Sequence, residues 1–140
     1  MIFNPADYNI PPHFKHWGGD PAEDHIGPFF SRFANDKAEC AMRVLPHHCN
    51  TYGIVHGGVL MAFADYVLGV AAIGQDSEMS VTVSCNQEFV SPAYTNELII
   101  GRSERVRKTS TLVFTRGTLL VKERVIMTMS GIFKRIRPKI

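Results

Sequence analysis

Gly57-Gly58-Val59-Leu60-Met61-Ala62-Phe63-Ala64-Asp65-Tyr66-Val67-Leu68-Gly69-Val70-Ala71-Ala72-Ile73-Gly74 is the stretch whose reading decides the fold of this 140-residue chain. It is apolar almost throughout, and Asp65 is the sole Asp, Glu, Lys or Arg between Arg43 and Asp76. The run predicts one helix over 57–73 with Gly74 as its C-cap. Its length falls near the lower limit for a membrane span, and a carboxylate sits at its centre. The expected structure is therefore a buried helix rather than a transmembrane one. A helix apolar on every side has to be covered all round.

Past Gly74 the period changes from helical to two. Val81, Val83, Cys85 and Phe89 alternate with Thr82, Ser84, Asn86 and Glu88, and Ser91-Pro92 then bends or ends the strand. Leu98 to Val106, Thr111 to Val121 and Val125 to Phe133 are further strands, with turns at 108–110 and 122–124. Upstream, Lys37 to Leu45 alternates as a strand stopped by Pro46, and 47–55 is a loop. Residues before Asp24 are rich in Pro, Gly and His and read as an irregular arm. A short helix is expected around His25 to Phe33, with Phe29, Phe30 and Phe33 on one side. The order is strand, long helix, then four strands in a meander. The fold class is α+β, a twisted antiparallel sheet wrapped around one central helix. The expected organisation is a single domain over 1–140, with an arm at 1–36 and a core at 37–137. The arm or another subunit would cover what the sheet leaves exposed.

Composition sets the outer limits. A 140-residue chain buries roughly 68–70% of its unfolded surface, enough for a true core. Hydrophobic residues make up 45% and charged residues 20%, with a net charge of +2, too weak to suggest nucleic acid as a partner. Basic residues gather at Arg102, Arg105, Arg107 and Lys108, and again at Lys134, Arg135, Arg137 and Lys139. Solvated strand edges explain both groups, and a phosphate-bearing ligand is the alternative. Cys40, Cys49 and Cys85 are odd in number and widely spaced, which fits a reducing cytoplasm rather than a disulfide framework. The early residues carry Asp7, Pro11 and Pro12 and no apolar segment of the signal-peptide kind.

Two features carry chemistry. A lone acid in an apolar helix is a candidate general base or nucleophile, because burying a carboxylate is costly unless it is paired or hydrogen-bonded. The alternative is a structural Asp65 bonded to a backbone amide or a neighbouring hydroxyl. The second feature is Asn50-Thr51-Tyr52-Gly53-Ile54-Val55-His56-Gly57-Gly58. Glycines at a helix start let other groups approach the backbone, and first-turn N–H groups there face an oxyanion or carbonyl oxygen. A turn needed only for chain reversal is the alternative. No GxSxG elbow, Walker loop or HExxH is present. His47, His48 and Cys49 are adjacent, a spacing that rarely closes one coordination shell, so no metal is expected. His13, His16 and His25 read as surface residues of the arm, and Met61, Met127 and Met129 as core filler.

Spacing links the two features. Gly57 and Asp65 are about 12 Å apart along a helix axis, and His56 and Asp65 point to roughly opposite sides. If both act on one carbonyl, Asp65 comes from one subunit and the His56/Gly57 turn from another. A two-fold dimer would then carry two composite sites.

The pattern Asn50-x-x-Gly53-x-x-His56-Gly57-Gly58 followed by Asp65 resembles the hotdog-fold acyl-CoA thioesterases. The nearest groups are the phenylacetate-degradation-type (PaaI-like) and mammalian Them2-like enzymes. The likeness continues through Val81-Thr82-Val83-Ser84-Cys85-Asn86 to Phe89-Val90-Ser91-Pro92-Ala93 and spans most of the chain from Lys37 onward. The resemblance implies hydrolysis of an acyl- or aryl-acyl-CoA to free acid and coenzyme A. It implies Asp65 as general base or nucleophile and the Gly57 amide as the group that polarises the thioester carbonyl. His56 would hold the turn or the carbonyl, and Asn50 would position the water or thioester from the facing subunit. Thr82 would orient the water where relatives often carry a serine. Gly58, Val81, Val83, Arg102 and Arg105 complete the implied substrate-contacting set, the arginines toward coenzyme phosphates. No cofactor is implied, coenzyme A being part of the substrate. The implied assembly is a homodimer or dimer of dimers, without nucleic acid or membrane. A non-catalytic acyl-CoA-binding module, such as a metabolite sensor, is the rival reading, since one fold hosts both. A hydratase would need a different His/Asp or His/Glu arrangement, which the sequence lacks.

Overall fold

The long helix forms where the apolar run predicts it. In the computed structural model, which describes residues 2–34, 37–75 and 78–136, α2 spans Gly57–Ile73. His56 is its N-cap, and His56 Nδ1 accepts the Gly58 N–H at 3.0 Å. Gly74, at φ 63°, closes it, its N–H bonding Val70 O. No helix among the described residues is long and apolar enough to cross a membrane. Leu60, Phe63, Ala64, Val67, Leu68, Ala71 and Ala72 are buried, spaced as one helical face. The opposite side is open in the single chain. Met61 is 47% exposed, against the expectation of core filler, and Asp65 is exposed as well. The apolar sequence thus supplies more apolar surface than one sheet can cover.

The sheet is six-stranded, antiparallel and ordered β1-β2-β4-β5-β6-β3. Its strands are β1 Phe30–Ala34, β2 Lys37–Arg43, β3 Ser80–Phe89, β4 Leu98–Lys108, β5 Leu112–Val121 and β6 Arg124–Arg135. Only β4, β5 and β6 form the expected meander. β3 does not pair with β4 but lies at the far edge against β6. The reason lies in residues 90–97, which are too long and too rich in turn residues for a hairpin. Val90 N bonds Ile126 O, Val55 N bonds Ala93 O and Asn96 N bonds Val44 O, so this strap crosses beside the start of α2. The helix seats on β4, where a Cβ on Gly101 would lie 2.5 Å from Val67 Cγ2 and Ser103 Oγ donates to Val67 O at 2.7 Å.

The segment before Lys37 is more ordered than its composition suggests. A short helix, α1, covers Pro21–Ile26, with Asp20 as N-cap and Gly27-Pro28 ending it. Residues 30–33, expected as part of that helix, belong instead to strand β1, paired with β2. Period two therefore puts Phe29 and Phe30 on opposite faces. Phe29 packs on Phe63 and Tyr66, at ring separations of 5.0 and 5.2 Å. Phe30 joins Ile10, Phe14 and Ala41 in a second cluster. His16 is buried, not a surface residue, and its Nε2 meets Asp24 Oδ1 at 2.6 Å. Asn35, Asp36 and Arg137, within the expected arm and core, and Lys139 of the basic tail, lie outside the described residues.

Candidate active site

An edge strand with one extra residue builds the centre of the site. β3 pairs Thr82 with Phe133 and then Ser84 with Ile132, leaving Val83 as a bulge. Strict alternation would put Thr82 on the face opposite Cys85 and Phe89. The bulge brings Thr82 to the helix-facing side, across from Phe133, while Cys85 stays there across from Gly131. Thr82 Oγ1 consequently donates to Asp65 Oδ1 at 2.7 Å. The expected neighbouring hydroxyl is present, but Asp65 is exposed rather than buried in the single chain. Its second oxygen has no hydrogen-bond partner among the described residues.

Asp65 and Thr82 open onto a cavity of about 600 Å³. Helix α2 contributes Tyr66, Val70 and Ile73, and the segment before Lys37 contributes Trp17, Glu23 and Phe33. That segment reads in the sequence as an irregular arm outside the thioesterase-like pattern, and no motif marks it. Its one sequence signal was apolar and acidic residues close together. Glu23 is pushed up to about 7, first by burial and then by the negative charges of Asp20 and Asp65. Burial also pushes the Tyr66 phenol upward, with Ser31 acting the other way.

The turn before α2 sits at the other end of the helix. His56 spends Nδ1 on the Gly58 N–H, so the amide left without an acceptor among the described residues is that of Gly57. Asn50 Oδ1 accepts the N–H groups of Tyr52 at 2.9 Å and Ile54 at 3.1 Å, which shapes the loop and leaves its amide nitrogen unused. His48 is spent locally too, with Nδ1 accepting Leu45 N–H and Nε2 meeting Ile26 O. No group of three His, Cys, Asp or Glu residues among those described could hold a metal.

The remaining site residues are dispersed. Val81 and Val83 are exposed on the sheet edge, 46% and 59% respectively. Arg105 points at the C-terminus of α2, with Nε donating to Ala71 O and Nη2 to Ala72 O and Ile73 O at 2.9–3.1 Å. Arg102 lies on the outer sheet face beside Glu39, 3.3 Å away. Neither arginine lines the Asp65 cavity.

Residues 52–127, more than half of the chain, match the thioesterase superfamily model. The chain belongs to the thioesterase superfamily. Its fold is accordingly the hotdog, and its class is thioester hydrolase. A Pseudomonas aeruginosa protein named "Putative esterase PA0474" is 30% identical over 129 residues, 89% of this chain and 96% of that one. Human acyl-coenzyme A thioesterase 13 is 30% identical over 90 residues, 64% of each chain. The solved structure of a mutant of the phenylacetic acid degradation protein PaaI from Thermus thermophilus superposes with a TM-score of 0.75 at 22% identity. It covers 84% of this chain and 100% of that one.

Proposed function

We propose that the chain hydrolyses an acyl-CoA thioester to free acid and coenzyme A, with Asp65 as the base. The observation that carries this is the Thr82–Asp65 hydrogen bond at the mouth of a cavity. One carboxylate oxygen is held, and the other is left for a water. Asp65 takes a proton from that water, whose oxygen attacks the thioester carbonyl carbon. The Gly57 N–H receives the negative charge that forms on the carbonyl oxygen. The C–S bond then breaks, and the coenzyme A thiolate leaves and takes up a proton. Attack by Asp65 itself, through a mixed anhydride that water then cleaves, uses the same atoms. His56 and Asn50 act by fixing the turn that presents Gly57.

Asp65 and Gly57 are about 12 Å apart along the α2 axis, so the site needs two chains. Two features support a two-fold dimer. β3 is a sheet edge, and Val81, Val83, Phe89 and Met61 make an exposed apolar patch on it and beside it. A dimer of dimers is compatible with this reading. Val81, Val83 and Gly58 would meet substrate at that interface, and a reducing cytoplasm suits the three free cysteines.

Subunit mixing tests the reading. Asp65→Asn and Gly57→Val homodimers should each be inactive toward acyl-CoA. Random mixing should restore about a quarter of wild-type thiol release, because half the dimers then carry one intact site of two. No restoration from verified heterodimers would refute the composite site. Acyl-CoA binding by the wild type without turnover would favour a binding module.

A further inference from the structure

Helix α1 and its N-cap carry three acids close to the cavity, and two of them have structural tasks. Asp20 caps α1 by accepting the Glu23 N–H at 3.0 Å. Asp24 accepts from His16 at 2.6 Å. The Glu23 carboxyl has no such task. It lines the cavity together with Asp65, and no Lys, Arg or His pairs with it among the described residues. The charges that bear on it are those of Asp20, with which it can share a proton, Asp65 and Asp24. A half-buried acid facing only like charge is a cost to the fold unless something outside the chain uses it. Trp17 stands beside it at the mouth, its Nε1–H donating to Ser31 Oγ at 2.9 Å and its ring 64% exposed. Val70, Ile73 and Phe133 are apolar parts of the wall, which also holds Ser31, Gln75 and Ser80.

We propose that Glu23 selects the acyl group. The cavity takes a thioester whose acyl part bears an uncharged hydrogen-bond donor, a hydroxyl, and turns away one bearing a carboxylate. This rests on the thioesterase reading and deepens it. A hydroxyl gives the Glu23 carboxyl the donor that the chain withholds. A plain hydrocarbon would desolvate Glu23 and leave it only the Asp20 carboxyl as a partner, and sites built to bond a polar group reject analogues that lack it. A substrate carboxylate would meet Asp20, Glu23 and Asp65, with no Lys or Arg among the described residues of the cavity wall to offset them. Glu23 lies outside residues 52–127, so the selecting group and the superfamily match occupy different stretches of sequence.

The test is a matched panel of acyl-CoA esters, aliphatic and aryl, that differ only in a distal hydrogen, hydroxyl or carboxylate. Wild type should favour the hydroxyl member of its preferred pair over the unsubstituted one by about tenfold or more in kcat/KM. Glu23→Leu should erase or invert that ratio, and Glu23→Gln should raise the relative rate on the carboxylate member. Ratios within one variant cancel losses due to folding. Turnover with no hydroxyl preference, or a preference unchanged in Glu23→Leu, overturns the role of Glu23 and leaves the thioesterase reading standing. If the wild type releases no thiol from any ester, the thioesterase reading falls. The same ratios are then read as Kd values for hydrolysis-resistant CoA thioethers, and equal Kd values overturn the selector.

Discussion

Thr82 reaches Asp65, hydroxyl to carboxylate over 2.7 Å, because β3 carries one residue more than its partner strand at Val83. Asp65→Asn should keep the fold and lower kcat by about 10²- to 10⁴-fold, the usual worth of a positioned base. Thr82→Ser should retain most activity, and Thr82→Val should lose about tenfold or more, since it removes the donor and keeps the shape. Thiol release with circular dichroism as the folding control checks both. Full activity in Thr82→Val would make the contact incidental.

Gly57 can be probed without breaking the helix. A Cβ there would lie 3.5–3.6 Å from the Phe89 ring, an ordinary contact. Gly57→Ala should therefore leave Tm nearly unchanged while the methyl obstructs the carbonyl's approach to the amide. The expected loss is about 10²- to 10³-fold in kcat/KM, the worth of one oxyanion donor.

Arg105 should prove structural. It holds three carbonyls at the end of α2 and packs where any Cβ on Gly74 would strike its guanidinium. Arg105→Ala should cost about 2 kcal/mol, from lost charge-assisted bonds at the negative end of the helix dipole. Denaturant unfolding measures this. A KM for acyl-CoA that rises sharply with stability unchanged would instead return Arg105 to the coenzyme phosphates.

Glu23 gives stability a pH dependence of known sign. Its folded pKa, about 7, lies above the ordinary carboxylate value of 4.5, so the folded chain holds this proton more tightly than the unfolded chain does. The group's contribution is most favourable below about pH 4.5 and is lost as pH rises to about 7. For a half-exposed group, solvent screening reduces the effect to about 1 kcal/mol. Glu23→Gln should flatten the Tm-versus-pH curve between those values and raise Tm at pH 8. Identical curves would mean that Glu23 ionises freely.

The helix was legible because seventeen residues form one apolar run that ends at a glycine, and its ends fall where the sequence places them. The core strands were legible through alternation. Strand order was not, because alternation shows faces and not neighbours, and residues 90–97 cross over instead of turning back. β1 was misread because Phe29, Phe30 and Phe33 suit a helical face as well as a strand. The Val83 bulge is invisible to a pattern of period two, although it aims Thr82. For the site, Asp65 and the glycine turn stood out through their surroundings, whereas Glu23 did not. An acid among acids near a chain end looks solvated until the fold sets it against a cavity.

The segment before Lys37 supplies Trp17, Glu23 and Phe33 to a cavity whose base stands on α2. The proposed base and the proposed selector thus lie on different stretches of the chain. A lineage can rewrite the first stretch and acquire a new diet while the hydrolytic apparatus is untouched. Grafting residues 17–33 from a relative onto this chain should transplant that relative's taste.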